Sequence, residues 1–239
     1  SSPRFLKLHQ ARNVALKKTK GNLICYLDVD DIWLPNKLLK QIKIYLKNKD
    51  AGIIYGNFFV QNENTFKKKK IFSKNKLPEG NIFEDLLNAY VLSLSSIMFN
   101  KLILQKYQLK FDERYEIISD FDLCLKIASL SKIYAVQEPI SVYRVHGDNF
   151  FLLNKTKHIN ELYFWIKNLK RYYKDYKKFN LKKLKNKIHL LEFQNKVQKL
   201  NFLDKMIIIT KMYKYQNLLN LLIYAFLPNF IVKKFKFFE

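Results

Sequence analysis

Apolar and polar positions along the first half of the chain fall into blocks of changing period. The stretch "QARNVALKKTKG" carries apolar residues at helical spacing and ends in lysines, which predicts a helix closed by Gly21 at its C-terminal cap. "NLICYL" is short and continuously apolar, the pattern of a strand covered on both faces. Pro35 then opens a second helix, "PNKLLKQIKIYLKN", with an apolar face at positions 38, 39, 42, 45 and 46. "AGIIYGNFFVQ" predicts a strand and "NENT" a turn before the basic "FKKKKIF".

Further on, "PEGNIFEDLLN" reads as a helix, "SLSSIMFN" as a strand and "KLILQKYQ" as a helix. A helix is expected from about Asp120, with Leu123, Ile127 and Leu130 on one face, followed by two short strands, "IYAVQ" and "SVYRVH". From Phe150 the pattern is helical and basic to the end. Helix, buried strand, loop, helix, strand is the rhythm of an α/β sheet, and such sheets bind ligands beyond the carboxyl ends of their strands.

Composition narrows this picture. The 239 residues are 49% hydrophobic, enough for a sizeable core and against disorder, and room for one large domain or a domain with an appendage. Cys25 and Cys124 are far apart in apolar stretches and read as free thiols in a reducing compartment. The opening residues show neither an initiator Met nor a signal peptide, which suggests a fragment or processed product.

Charge changes it more. The chain has 44 Lys+Arg against 20 Asp+Glu, yet "CYLDVDDIWLP" places Asp28, Asp30 and Asp31 on one turn at a strand end. Crowded carboxylates repel one another, and a cation offsets that repulsion. Magnesium and manganese bind through one or two carboxylates while substrate phosphates fill other positions, and an Asp-x-Asp suits that task. A surface turn or a helix N-cap explains the same acids on spacing alone.

The ordered set Ala11, Arg12, Asn13, Gly21, Asp28, Asp30, Asp31, Trp33, Pro35, Lys37 and Leu38 resembles the central segment of family 2 glycosyltransferases. "SSIMFNKLILQKYQLKFDERYEIISDFDLCLKI" resembles the acceptor-side segment, with Ser119-Asp120 where an acidic pair is common, and "EPISVYRVHGDN" resembles its closing segment. The resemblance implies an α/β GT-A fold over residues 1–149, followed by a basic helical region over 150–239. It also implies that the first strands of the fold are missing, with "PRFLKLHQ" as the tail of the strand ahead of Ala11.

The same resemblance implies an inverting transfer of sugar from a nucleotide-diphosphate donor, UDP-linked in the first instance, to a glycan or lipid-linked hydroxyl. Asp120 would be the catalytic base, and Arg12, Asp28 and Asp30 would face the nucleotide-sugar. Asp30, Asp28 and His146 would lie at a divalent cation, Mn²⁺ or Mg²⁺. The expected location is cytoplasmic, peripheral on the inner face of the cell membrane. Asp120 also reads as a helix cap, and His146 as an ordinary strand-end histidine.

Two other classes stay open. A catalytically inactive truncated relative could serve as a membrane or partner-binding module. Residues 151–239 hold 20 Lys+Arg and 5 Asp+Glu, which suits an anionic membrane surface, a solvated helix face or nucleic acid. No nucleic-acid reading motif accompanies that charge. The apolar run 218–232 contains Asn220, Pro228 and Asn229 and is shorter than the ~20 residues of a spanning helix.

Overall fold

A computed structural model describes residues 7–62, 70–147, 149–213, 215 and 217–226. Most of "FKKKKIF", and the part of the apolar run beyond Phe226, lie outside the described residues. The elements in order are α1 (Leu8–Lys18), β1 (Leu23–Ile24), β2 (Ile32–Trp33), α2 (Lys37–Lys47), β3 (Ala51–Asn62), β4 (Lys70–Ile71) and α3 (Phe83–Asn88). A 3₁₀ turn (Leu94–Ser96) leads to β5 (Met98–Asn100), α4 (Lys101–Lys106), α5 (Ser119–Ala128) and β6 (Lys132–Val145). Helices α6 (Phe150–Leu153), α7 (Lys155–Lys167), α8 (Leu169–Tyr172), α9 (Lys182–Lys196), α10 (Phe202–Met212) and α11 (Leu218–Phe226) follow.

The sheet runs β1-β5-β3-β6-β2, with β4 paired to β3. Its spine is the parallel pair β3–β6; β5 and β4 lie antiparallel to β3, and β2 lies antiparallel to β6. Gly52 lets β3 pass close beneath the α5–β6 turn, since a Cβ there would sit 2.0 Å from Ser131 Oγ.

Several expectations are corrected. The first helix ends at Lys18 with Thr19 as its cap, so Gly21 is not the capping residue. Leu8, His9 and Gln10 belong to that helix and not to a strand. Of "NLICYL" only Leu23 and Ile24 are ladder-paired. Helix α2 starts at Lys37, after Asn36 in the left-handed region (φ 64°), and not at Pro35. "SLSSIMFN" is split between the 3₁₀ turn and β5. "IYAVQ" and "SVYRVH" are one strand, because register shifts opposite Asn57 absorb Pro139.

The apolar face of α2 is also turned differently from its sequence pattern. Leu38, Leu39, Ile42 and Leu46 are exposed, while Lys37 and Gln41 are buried. The inward face meets backbone carbonyls that need donors: Gln41 Nε2 donates to Ile54 O (2.7 Å) and Ser96 O (3.0 Å). Lys37 Nζ donates to Gln41 Oε1 (2.7 Å) and lies 4.4 Å from the Trp33 ring centroid.

One core joins the sheet, α3, α5 and the helices α7 to α9, including Ile53, Phe99, Leu123, Ile127, Trp165 and Ile188. It therefore runs across the border expected near residue 149. A second, smaller cluster of Phe193, Val197, Ile209, Met212, Leu221, Tyr224 and Ala225 holds α9, α10 and α11 together. Among the described residues no helix is long and apolar enough to cross a membrane.

Candidate active site

The acidic turn is built by pairing. Asp31 N–H donates to Asp28 O at 3.0 Å, closing the turn just before β2. Ile32 then pairs with Val142 of β6, which brings Arg144 and His146 opposite the acids. Arg144 N–H donates to Asp31 Oδ1 (3.1 Å), its Nε donates to the carbonyl of Asp30, and Nη2 lies 3.4 Å from the carbonyl of Val29.

Within this frame the three acids have different work. Asp31 is buried, and Ser95 Oγ donates to its Oδ2 at 2.5 Å. Burial pushes its pKa up to about 6, against the pull of those two hydrogen bonds. Asp31 is thus a brace between the turn, the 3₁₀ segment and β6. Asp30 points the other way: its Oδ2 lies 3.0 Å from His146 Nε2 and 3.5 Å from Asn149 Nδ2. Asn149 Oδ1 accepts from His146 N–H at 2.7 Å, fixing the histidine backbone.

Asp28 meets Arg12 of α1, whose Nη2 donates to its Oδ1 at 2.9 Å. The neighbouring Asn13 is buried and exchanges hydrogen bonds with the backbone of Phe111, donating to its carbonyl (2.9 Å) and accepting from its N–H (3.0 Å). One turn of α1 therefore ties the acidic turn to the segment that leads toward α5.

Asp120 sits in the first turn of α5, where the helix N-terminus favours negative charge. Burial pushes its carboxyl above the ordinary carboxylate range and the charge of Asp28 adds to this; Arg12 and the N–H groups of Phe121 and Asp120 act against it. Tyr143 of β6 feels the charge of all four acids. Its phenol is pushed up by burial first, then by Asp31, Asp30, Asp28 and Asp120. The structure thus gathers Arg12, Asp28, Asp30, Asp120 and His146 in one electrostatic neighbourhood. It pairs Asp30 with His146 and Asp28 with Arg12.

The segment before α5 is held from outside the sheet. Glu161 of α7 is buried and accepts from three successive backbone N–H groups: Glu116 (2.9 Å), Ile117 (2.9 Å) and Ile118 (3.1 Å). Asp122, wholly buried, accepts from Trp165 Nε1 (3.1 Å) and Lys126 Nζ (2.6 Å), so it is structural.

Two open surface clefts, both lined in part by Ser129, Leu130 and Tyr172, contain none of the gathered acids. The acidic turn is instead a solvent-facing shelf, with Val29 fully exposed at its tip.

Among the described residues no group of three or more His, Cys, Asp or Glu side chains is arranged to hold a metal. Asp30 and His146 do supply one carboxylate oxygen and one imidazole nitrogen together, a pair that suits Mn²⁺ or Mg²⁺ when substrate phosphates complete the shell. The donor set fits such an incomplete site. Asp28 has its Oδ1 on Arg12.

Ser95 and Glu161 are neighbours of the candidate site that the sequence did not single out, and Arg144 and Asn149 were visible only as part of a motif. Ser95 and Glu161 share no local pattern with the groups they hold.

This is a mixed α/β sheet with an acidic turn just ahead of β2 and helices on its flank, the class of the GT-A fold. It overlaps the structure titled S. aureus TarS 1-349 in complex with UDP-GlcNAc with a TM-score of 0.52 at 14% identity, over 87% of this chain and 61% of the other. Residues 2–108 match the family model described as Glycosyl transferase family 2. Over those residues the chain is similar to the family 2 glycosyltransferases. It is 32% identical over 126 residues to the Escherichia coli UDP-Glc:alpha-D-GlcNAc-diphosphoundecaprenol beta-1,3-glucosyltransferase WfgD, covering 53% of this chain and 46% of that one. It is 27% identical over 162 residues to the Staphylococcus aureus poly(ribitol-phosphate) beta-N-acetylglucosaminyltransferase TarP, covering 64% and 49%. The chain spans about half the length of the curated relatives it matches.

Proposed function

We propose that this chain carries the catalytic centre of an inverting glycosyltransferase. It takes a sugar from a UDP-type donor and passes it to a hydroxyl of a cell-surface glycan or lipid-linked acceptor on the cytoplasmic side of the membrane. The observation that carries the reading is the gathering of Asp28, Asp30 and Asp120 around Arg12 and His146. The names of the relatives support the donor and acceptor classes: one is a UDP-glucose enzyme with a diphosphoundecaprenol-linked acceptor, another acts on poly(ribitol-phosphate).

The roles follow from charge. Asp120 accepts the proton of the acceptor hydroxyl, and its raised pKa makes it a stronger base than an ordinary aspartate. The hydroxyl oxygen forms its bond to the anomeric carbon as the carbon–oxygen bond to the diphosphate breaks. The diphosphate leaves with that electron pair, on the face opposite the attack. Arg12 sets positive charge beside Asp28, where the developing diphosphate charge needs it. Asp30 and His146 would hold a divalent cation, which supplies further stabilisation of the departing diphosphate. Asp31, Ser95 and Arg144 keep the turn in shape.

The test is donor turnover by the purified chain across a panel of UDP-sugars with Mn²⁺, wild type against Asp120→Asn. A general base contributes ~10²–10⁴-fold, so the variant should lose that much turnover while still binding UDP. Equal turnover in both proteins would remove Asp120 from the chemistry.

A further inference from the structure

Among the described residues, the second core cluster leaves one face of α10 bare. On α10, Ile209 and Met212 point into that cluster. The rest of the helix surface presents Phe202, at its first turn, with Leu203, Met206 and Ile207, which are 70%, 69%, 39% and 44% exposed. Their spacing of one, four and five places them on one stripe. Tyr213 and Phe226 extend the apolar surface, with the Phe202 and Phe226 rings 5.6 Å apart.

Cations accompany this surface: Lys211 on α10 and Lys196 and Lys199 just before it are exposed, and Lys205 Nζ lies 5.6 Å from the Phe226 ring centroid. Residues 196–226 contain five lysines and a single acid, Asp204, in a chain of net charge +24. A second copy of so cationic a chain is a poor partner for this face, because the lysines would oppose each other. A nucleic acid would satisfy the lysines and leave four large apolar side chains in water. An anionic bilayer satisfies both: the apolar stripe enters the headgroup–acyl boundary while lysines reach lipid phosphates.

We propose that α10 is an interfacial helix that seats this chain on an anionic lipid bilayer, with Phe202, Leu203, Met206 and Ile207 inserted and the flanking lysines on the headgroups. The surface is on α10, N-terminal to the apolar run 218–232 that the sequence points to.

The test is co-sedimentation of the full chain with phosphatidylglycerol/phosphatidylcholine vesicles and with phosphatidylcholine alone, at low and high salt. Binding is expected on the anionic vesicles, at least tenfold weaker on the neutral ones, and weakened by salt. The triple variant Phe202→Ser, Leu203→Ser, Ile207→Ser should lose at least tenfold in binding. As a check that does not remove the stripe, Leu203→Cys carrying a polarity-sensitive dye should shift to the blue only with anionic vesicles. No binding by the folded chain, or no dye shift, overturns the proposal. A wild-type dimer that the triple variant splits overturns it too, and assigns the face to a second copy. None of these readouts needs turnover, so their failure leaves the transferase reading standing.

Discussion

His146 Nε2 lies 3.0 Å from the Oδ2 of Asp30, although 116 positions separate them in the chain. The contact exists because β2 pairs with the end of β6, and it gives the acidic turn a nitrogen donor that its own segment lacks. On the proposed reading His146 is a ligand-side residue whose loss should be felt only when metal and nucleotide bind. His146→Ala is expected to weaken Mn²⁺-dependent UDP binding by about tenfold, with a smaller loss for His146→Gln, in a titration of Mn²⁺ at fixed UDP. Unchanged Mn²⁺ dependence would return the histidine to a structural part.

Glu161 holds three consecutive N–H groups of the segment that delivers Asp120. Glu161→Ala would leave those donors without their acceptor inside the protein. A loss of about 3 kcal/mol or more is expected in urea unfolding, with Glu161→Gln intermediate because one amide oxygen remains. A variant as stable as wild type would show that water or another group takes the place of the carboxylate.

Lys37 and Gln41 make a polar inner face on α2. Burial lowers the Lys37 pKa, so its ammonium is held at a cost that Gln41 and the Trp33 ring offset. Lys37→Ala removes the donor and opens a cavity, and about 2 kcal/mol or more of stability should go with it. Lys37→Met, which keeps most of the volume, should lose less. If Met costs as much as Ala, the ammonium and not the stem carries the contribution.

Stability should also depend on His158. Burial, and then the charge of Lys187, lower its pKa from 6.5 to about 4. Between those values the unfolded chain binds the proton and the folded chain does not. The contribution is therefore full above pH 6.5 and is lost as pH falls toward about 4, with a ceiling of about 3 kcal/mol. His158→Gln should flatten the change in melting temperature between pH 7 and 4.5 relative to wild type. Parallel curves for the two proteins would contradict this.

Much of the candidate site could be named from the sequence because its residues sit in short, ordered motifs. Arg12, Asp28 and Asp30 lie within one stretch, and Asp120 opens a helix whose apolar spacing is plain. The strand 51–61 is recognisable because its residues are buried on both faces through most of its length. What was not legible depends on distant partners. Glu161 looks like any helix-surface acid until α7 packs against the segment before α5. Ser95 carries no sign of Asp31, 64 positions away. The apolar pattern of α2 misleads because the carbonyls of Ile54 and Ser96 call for Gln41 on the inner face. The division of β6 at Pro139 follows from local propensity, and the register shifts that accommodate it are set by β3.

The most direct measurement is the melting temperature of the chain with UDP and Mn²⁺, for wild type and Asp30→Asn under identical conditions. Ligand at a hundred times its dissociation constant stabilises a folded protein by about 2.7 kcal/mol, which a thermal scan resolves. The account predicts a rise that needs both UDP and Mn²⁺ and disappears in Asp30→Asn. No rise in the folded wild type, or an equal rise in Asp30→Asn, would contradict a nucleotide site at the acidic turn.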